Sequence, residues 1–507
     1  MDSRDILLAG ERMLSAEQMF LQGKKVAGGL LQAGLQEGDA VALILRNDFT
    51  YFVLHDAARY ASFDIVPVNW HLKPTEIEYI LKDCNARAVF VHSDLLTSEL
   101  HQVLKDYVVI IVPTPEEVNV AYALKEDASP LSENCLSWFD WLDSSDECER
   151  DPVPFCPPLF YTSGTSGRPK AVVRAELPVE VIMKIGERTR FAWGFDKQNI
   201  VSVMTGPLYH SAPNGYANMV LQSGGLLVLQ AKFDAEELLA LIDEHQVTHL
   251  HMVPTMFNRL LALPQEVKDR YSLSSLTNVT HGAAPCPTQV KQQMIEWWGP
   301  VVYEYYAMTE TGIITCSSSE QWLAHQGSVG SAAPGVSLQI RNDDGSVCEA
   351  GETGLICVQH EATASVSYHN ATEKTEELLQ DGYLVTGDIG YLDEEGFLYI
   401  SDRKSDMVIS GGVNIYPAEV ENELINTPGV KDCTVFGVPD PEFGEKLVAF
   451  IECDEELETE AIVSFLKERI ASYKVPRVFE QVPSLPREDS GKLKKREIRE
   501  KYLASLN

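Results

Sequence analysis

The chain has 507 residues, 45% of them hydrophobic, and 75 acidic against 41 basic side chains leave a formal charge of −34. That length exceeds one ordinary core and predicts two or more domains, while the acidic field argues against nucleic acid and anionic membrane as partners. Polyanionic ligands are repelled as well, so a site for one has to gather cations locally.

The N-terminus, Met1-Asp-Ser-Arg-Asp-Ile6, has no basic region ahead of an apolar stretch, so no secretory signal is expected. No apolar run has the length of a membrane span. The ten cysteines are scattered without a Cys-x-x-Cys pair, which argues against a zinc site or a disulfide framework. Reduced thiols and a cytoplasmic location are the expectation.

From about residue 15 to 400, helical and strand patterns alternate, which implies a layered α/β architecture. Residues 114–157 break the pattern. They are acidic, contain Pro and Ser, and between Asp143 and Asp151 hold almost no core-forming side chains, so an exposed connection is expected there. The apolar end of Pro157-Pro-Leu-Phe-Tyr161 then reads as a buried strand. It leads into Tyr161-Thr-Ser-Gly-Thr-Ser-Gly-Arg-Pro-Lys170. Gly164 and Gly167 let backbone approach a ligand closely. Thr162, Ser163, Thr165 and Ser166 supply hydroxyl donors, and Lys170 supplies a point charge. Such a loop suits a polyphosphate. It is not a Walker A loop, because Arg168-Pro169 separates the last glycine from the lysine. Further on, Asp234 followed by Glu237 predicts a helix start similar to a capping box, and His249–Val253 reads as a strand ended by Pro254. A second boundary falls near Asp402-Arg-Lys-Ser405. The remaining residues carry short apolar strands, Cys433–Val438 and Leu447–Ile451, and predict a small α+β domain. There is no internal repeat.

The phosphate-type loop stands first in an ordered series. Pro207-Leu-Tyr-His210, His281-Gly-Ala-Ala-Pro285, Tyr305-Tyr-Ala-Met-Thr-Glu310 and Gly351-Glu-Thr-Gly354 follow it. Tyr383-Leu-Val-Thr-Gly-Asp388, Ser401–Asp406, Ser410-Gly-Gly-Val-Asn-Ile-Tyr-Pro-Ala-Glu419 and Leu485-Pro-Arg-Glu-Asp-Ser-Gly-Lys492 complete it. In this order, from about residue 15 to 500, the chain resembles the adenylate-forming superfamily of acyl-CoA synthetases, nonribosomal-peptide adenylation domains and firefly luciferase. The resemblance implies a multi-domain α/β fold, with a large layered N-terminal domain over 1–402 and a small mobile α+β domain over 403–507, hinged near Ser405. It implies two half-reactions. A carboxylate attacks the α-phosphate of ATP to give an acyl-adenylate and pyrophosphate, and a thiol then displaces AMP. ATP, Mg²⁺ and coenzyme A are the implied co-substrates and metal, a small carboxylic acid the implied substrate, and a homodimer is compatible with it.

Charge accumulates on a phosphoryl group in the first step, so placed cations and donors carry the catalysis. By resemblance, Lys492, Thr309, Glu310 and Arg403 are the catalytic set. Glu310 is the Mg²⁺ ligand, a hard oxygen donor. The nucleotide is expected on Thr162–Gly167, Lys170, Gly282, Ala283, Ala284, Tyr306, Asp388 and Arg403, with Tyr306 stacking on adenine and Asp388 accepting from ribose hydroxyls. On its own, Arg403 reads as a surface partner of Asp402 or Asp406, and Lys492 as part of a basic tail. The acyl pocket is expected at His210, Ala307 and Met308. In acetate-activating relatives a Trp takes the place of Ala307, so a methyl here implies a larger acid. Gly411 and Gly412 are expected to line the pantetheine tunnel, and Lys474 and Arg477 to face the CoA phosphates. No general base is needed, because the carboxylate is already ionised at pH 7.

The leading expectation is an AMP-forming acyl-CoA synthetase for a medium- or long-chain fatty acid, or an alicyclic or steroid side-chain acid. The alternatives are an acyl-AMP ligase that loads a carrier protein, a luciferase-like or aryl-acid adenylating enzyme, and a degenerate nucleotide-binding protein. Carrier-loading relatives typically have an insertion between the two domains' motifs, and none stands between Asp388 and Asp402.

Overall fold

The computed structural model describes residues 5–124, 135–153, 156–162, 170–174, 177–195, 199–368, 379–410, 413–441, 443–453, 458–488 and 491–506. Two sheets dominate the first half. The larger has nine strands, and its centre runs Val302–Met308, Asn278–His281, His249–Met252, Val201–Met204, Leu226–Leu229 and Asp5–Ala9, all parallel neighbours. Antiparallel strands Arg12–Ser15, Gly312–Ser317 and Ser331–Ala332 close its edges. The second sheet is wholly parallel, in the order Asp64–Pro67, Ala40–Ile44, Ala86–His92, Val108–Val112, Cys135–Ser137.

Strand alternation sorts these residues into cores. Val41 and Leu43 face one core together with Ala88 and Phe90, whereas Ala42, Ile44, Val89 and Val91 face another. Parallel strands buried on both faces have to be apolar at every position, as Ala40-Val-Ala-Leu-Ile44 is. The core between the sheets takes in helices Ala16–Gln32, Thr50–Ala61 and Ser211–Gln222. Helices Ala235–His245, Pro254–Leu261 and Thr288–Trp298 cover the outer face of the nine-stranded sheet. The helix start predicted at Asp234 is present, with its carboxylate accepting from the Glu237 amide. The reciprocal half of the box is not made. Glu237 accepts instead from Gln230.

An antiparallel sheet follows, built on Ser337–Arg341, Gly354–Gln359, Tyr383–Leu392 and Leu398–Arg403. Beyond it, strands Val408–Ser410, Val413–Ile415, Val430–Asp440, Gly444–Cys453 and Val478–Val482 form a five-stranded sheet with its own cores on both faces. Helices Pro417–Leu424, Thr459–Lys467 and Lys495–Ser505 pack on it. The ten cysteines are all free thiols.

Two expectations are corrected. Residues 114–157 do more than connect. Helices Glu116–Tyr122 and Trp138–Ser144 form there, and Cys135–Ser137 is an edge strand. Trp138 and Trp141 are buried against Phe90, with ring centroids 6.0 and 5.7 Å away. Three apolar residues at helical spacing, Trp138, Trp141 and Leu142, are enough to dock a short helix whose acidic neighbours face water. The buried strand expected at the apolar end of 157–161 is only Tyr161–Thr162, and Leu159, Phe160 and Tyr161 are half-buried rather than buried.

Candidate active site

Ligands of open parallel sheets bind beyond the carboxyl ends of the strands. Four adjacent strands release their chains on that edge here. Thr205–His210 follows Val201–Met204, Val253–Thr255 follows His249–Met252, Gly282–Pro285 follows Asn278–His281, and Thr309-Glu310 ends Val302–Met308. Most of the motifs quoted from the first 310 residues therefore meet along one edge.

The turn Gly282–Pro285 is shaped by close approach. A Cβ on Gly282 would lie 2.8 Å from the ring and from the carbonyl oxygen of Tyr305. Ala283 holds φ +66, a conformation that costs an L-residue roughly 1–2 kcal/mol. Strain of this kind concentrates at ligand sites. Behind the turn, Lys291 Nζ and Glu304 Oε2 form a buried ion pair of 2.5 Å, with His281 Nε2 3.8 Å from the same oxygen. Burial holds His281 neutral, well below its usual pKa.

Tyr306, Asp388 and Arg403 form one unit. The Tyr306 hydroxyl donates to Asp388 Oδ2 at 2.5 Å, and Arg403 Nε lies 3.3 Å from Asp388 Oδ1. Strand register is the cause, since Asp388 and Arg403 are direct cross-strand partners. The surface pairing of Arg403 with Asp402 or Asp406 thus gives way to a pairing across the sheet. Burial raises the pKa of both Tyr306 and Asp388, and Arg403 works against that rise at each.

The turn bearing Lys492 sits over the same edge. A Cβ on Gly491 would come within 2.4 Å of Thr255 Oγ1. Glu488 Oε2 lies 3.9 Å from His210 Nε2. Desolvation and then the Arg403 cation push the Lys492 pKa down, while Glu488 and Asp406 hold it up. Lys492 and Arg403 thus lie close enough for each to feel the other's charge.

Thr309 Oγ1 lies 3.4 Å from Ser211 Oγ on the helix Ser211–Gln222, and Glu310 is buried beside it in sequence. Lys170 opens the strand Lys170–Arg174, half-buried. Thr162 pairs with it through the backbone. Ser163, Gly164, Thr165, Ser166 and Gly167 lie outside the described residues, as do Gly411 and Gly412. His210 precedes the helix Ser211–Gln222, its ring 4.5 Å from that of Tyr209. Ala307 and Met308 part company. Ala307 packs with Tyr305 and Ile313 in the core between the sheets, whereas Met308 joins Tyr306 against Ile314 and Val172. Lys474 bonds both oxygens of Glu419 at 2.6 and 2.7 Å, and Arg477 lies 3.8 Å over the Phe443 ring. Ser405 donates to Asp406. Sequence reasoning missed Ser211, Thr255 and Glu488. Of these, Glu488 lies within the quoted motif Leu485–Lys492 and Ser211 follows Pro207–His210 directly.

A profile described as AMP-binding enzyme matches residues 3–368, and one described as AMP-binding enzyme C-terminal domain matches 419–492. This chain belongs to the AMP-binding enzyme family. It is 31% identical over 515 residues to a long-chain-fatty-acid–CoA ligase of Bacillus subtilis, covering 96% of this chain and 90% of that one. It is 29% identical to the fatty acid–[acyl-carrier-protein] ligase ScoC of Streptomyces coeruleorubidus, covering 98% and 93%. The solved o-succinylbenzoate CoA synthetase of Bacillus subtilis in complex with its acyl-adenylate superposes with TM-score 0.82 at 27% identity, covering 98% and 95%. The chain is an AMP-forming acid–thiol ligase of the acyl-CoA synthetase family, with ATP, Mg²⁺ and CoA as its co-substrates and metal. Among the described residues no helix is long and apolar enough to cross a membrane.

The residues present fit a magnesium ion. Mg²⁺ usually takes one or two carboxylates plus substrate phosphate oxygens rather than an all-protein cage. Glu310 offers one such carboxylate, and the described residues hold no cluster of three or more His, Cys, Asp or Glu ligands.

Proposed function

We propose that the acid is a medium- or long-chain fatty acid, or an alicyclic or steroid side-chain acid, joined to CoA through an acyl-adenylate at the edge described above. The supporting observation is that the turn bearing Lys492 sits against the strand ends that carry Thr205–His210 and Val253–Thr255, with Lys492 close enough to Arg403 to sense its charge and Arg403 beside Asp388. In this reading Asp388 receives the ribose and Tyr306 stacks on adenine above the Gly282–Ala284 backbone. Arg403 and Lys492 draw the α-phosphate into the gap between them. Thr309 donates to that phosphate, and Glu310 would hold Mg²⁺, whose charge would screen the polyphosphate. The carboxylate oxygen forms its bond to phosphorus as the pyrophosphate oxygen leaves, and no protein group has to take a proton. The small domain, from Arg403 onward, turns about Ser405 between the half-reactions.

The size of the acid is inferred from Ala307. By resemblance a Trp at this position shortens the acyl site in acetate-activating relatives, and a methyl does not; Ala307 lies on the face shared with Tyr305. The similarity to a carrier-protein ligase favours one second reading, in which the acceptor is a phosphopantetheinyl carrier. A pyrophosphate-release screen over acids graded from acetate to hexadecanoate, with cholate and benzoate added, tests the substrate class. A rate optimum at acetate or propionate sinks it. Thioester formation with CoA alone tests the acceptor, and acyl-AMP that accumulates at every CoA concentration hands the role to the carrier.

A further inference from the structure

The turn that carries Lys492 is anchored from behind. Arg487 grips the carboxylate of Asp432 with two donors, Nε to Oδ2 at 2.8 Å and Nη2 to Oδ1 at 2.7 Å. Its third donor, Nη1, reaches the carbonyl oxygen of Gly491 at 2.8 Å. Asp432 is itself fixed on the strand Val430–Asp440, where Oδ1 also accepts from the Cys433 amide at 2.9 Å. Backbone bonds complete the turn, from Glu488 N to Lys492 O and from Gly491 N to Glu488 O, both 2.8 Å.

We propose that Arg487 is a positioning residue for adenylate formation, bracing the Gly491–Lys492 peptide so that Lys492 is held over the strand ends of the large domain. The proposal rests on the reading of Lys492 as the lysine that meets the α-phosphate. The braced carbonyl belongs to the peptide that leads into Lys492, and the residue bearing it, Gly491, is at φ +81. A glycine there loses the most freedom on ordering, so an unbraced turn samples many directions for the next side chain. Gly491 is also the point where the turn meets Thr255 of the large domain. The pair is shielded, with side chains 28% and 22% exposed. A guanidinium can hold a carboxylate in bidentate fashion and still donate a third bond in the same plane. A lysine ammonium lacks that geometry.

The test separates the half-reactions in the full-length chain. Pyrophosphate release is measured with ATP and dodecanoate, and thioester formation is measured from synthetic dodecanoyl-AMP with CoA. Arg487→Met is expected to slow the first on the order of 10²-fold through kcat, with KM for ATP and the second half-reaction within about threefold of wild type. Asp432→Asn, which leaves Arg487 in place, slows the first step less and in the same direction. Arg487→Lys does not restore it. The double variant Arg487→Met with Lys492→Ala is no slower than Lys492→Ala alone, because both act through one group. An equal fall in both half-reactions makes Arg487 a general support of the fold and overturns the proposal. So does an additive loss in the double variant, or a wild-type rate in Arg487→Met. If Lys492→Ala alone keeps adenylate formation, the reading of Lys492 falls and the brace with it, an outcome seen without touching Arg487.

Discussion

Along the strand Val302–Met308, neighbouring side chains serve opposite sides of the sheet, and chemistry divides accordingly. Tyr306 turns toward Asp388 and Arg403, while Ala307 turns toward Tyr305 and Ile313. Ala307→Trp is therefore expected to fill acyl space without touching the nucleotide side. The ratio of kcat/KM for acetate to that for dodecanoate should rise by at least about tenfold, the scale on which apolar pockets sort methylenes. Unchanged turnover of dodecanoate would remove Ala307 from the acyl wall. At this scale the sequence offered candidate residues but not the partners they touch. Arg403 stood beside two aspartates in sequence, and only the strand register revealed that its partner is Asp388. Met308 looked equivalent to Ala307 until strand alternation placed it on the other side.

At the scale of elements, the edge proposed for catalysis depends on turns that fit each other closely. Gly491 approaches Thr255 so tightly that no side chain fits between them. Gly491→Ala meets two costs, the left-handed φ of +81 and contact with Thr255 Oγ1 and Cγ2. The first is roughly 1–2 kcal/mol. The second arises only when the turn is seated, so adenylate formation should fall more than about tenfold. Adding Thr255→Ala removes the closest contact, Oγ1 at 2.4 Å, together with Cγ2, leaves only Val253 Cγ2 at 3.2 Å, and should recover most of the steric part of the loss. If the two substitutions are instead simply additive in pyrophosphate release, the seat is not where the structure puts it. Much of this level was legible in advance. The alternation of helix and strand, the start at Asp234 and the strand before Pro254 follow from local spacing and capping. The docked helix Trp138–Ser144 was not, because acidic composition masked a short apolar face. The seating of the Lys492 turn was not legible either. It joins residues more than two hundred positions apart, and no local pattern carries that.

At the scale of the whole molecule, a charge of −34 sets the surface, but stability depends on a few ionisable groups taken inside. His55 and Asp56 are adjacent on the helix Thr50–Ala61, both buried. Asp56 packs against Gly23 of the helix Ala16–Gln32 and lies 3.2 Å from Arg59. Burial raises its pKa to about 7 despite Arg59, and burial lowers that of His55 to about 4. The two oppose each other. A carboxyl with a raised folded pKa gives full stability below its unfolded value near 3.8 and loses it as pH climbs to about 7. A histidine with a lowered pKa gains stability as pH rises from about 4 to its unfolded value of 6.5. Wild-type curves therefore blend the two, and only a difference between variants isolates either. Asp56→Asn keeps the shape and removes the charge. Its stability relative to wild type should rise between about pH 4 and 7 and then level off, by at most about 4 kcal/mol. Urea unfolding of the large domain at pH 4.5, 6 and 7.5 reads this directly. A difference that is flat with pH would mean that Asp56 is ionised in the folded chain throughout, with Arg59 rather than burial deciding its state.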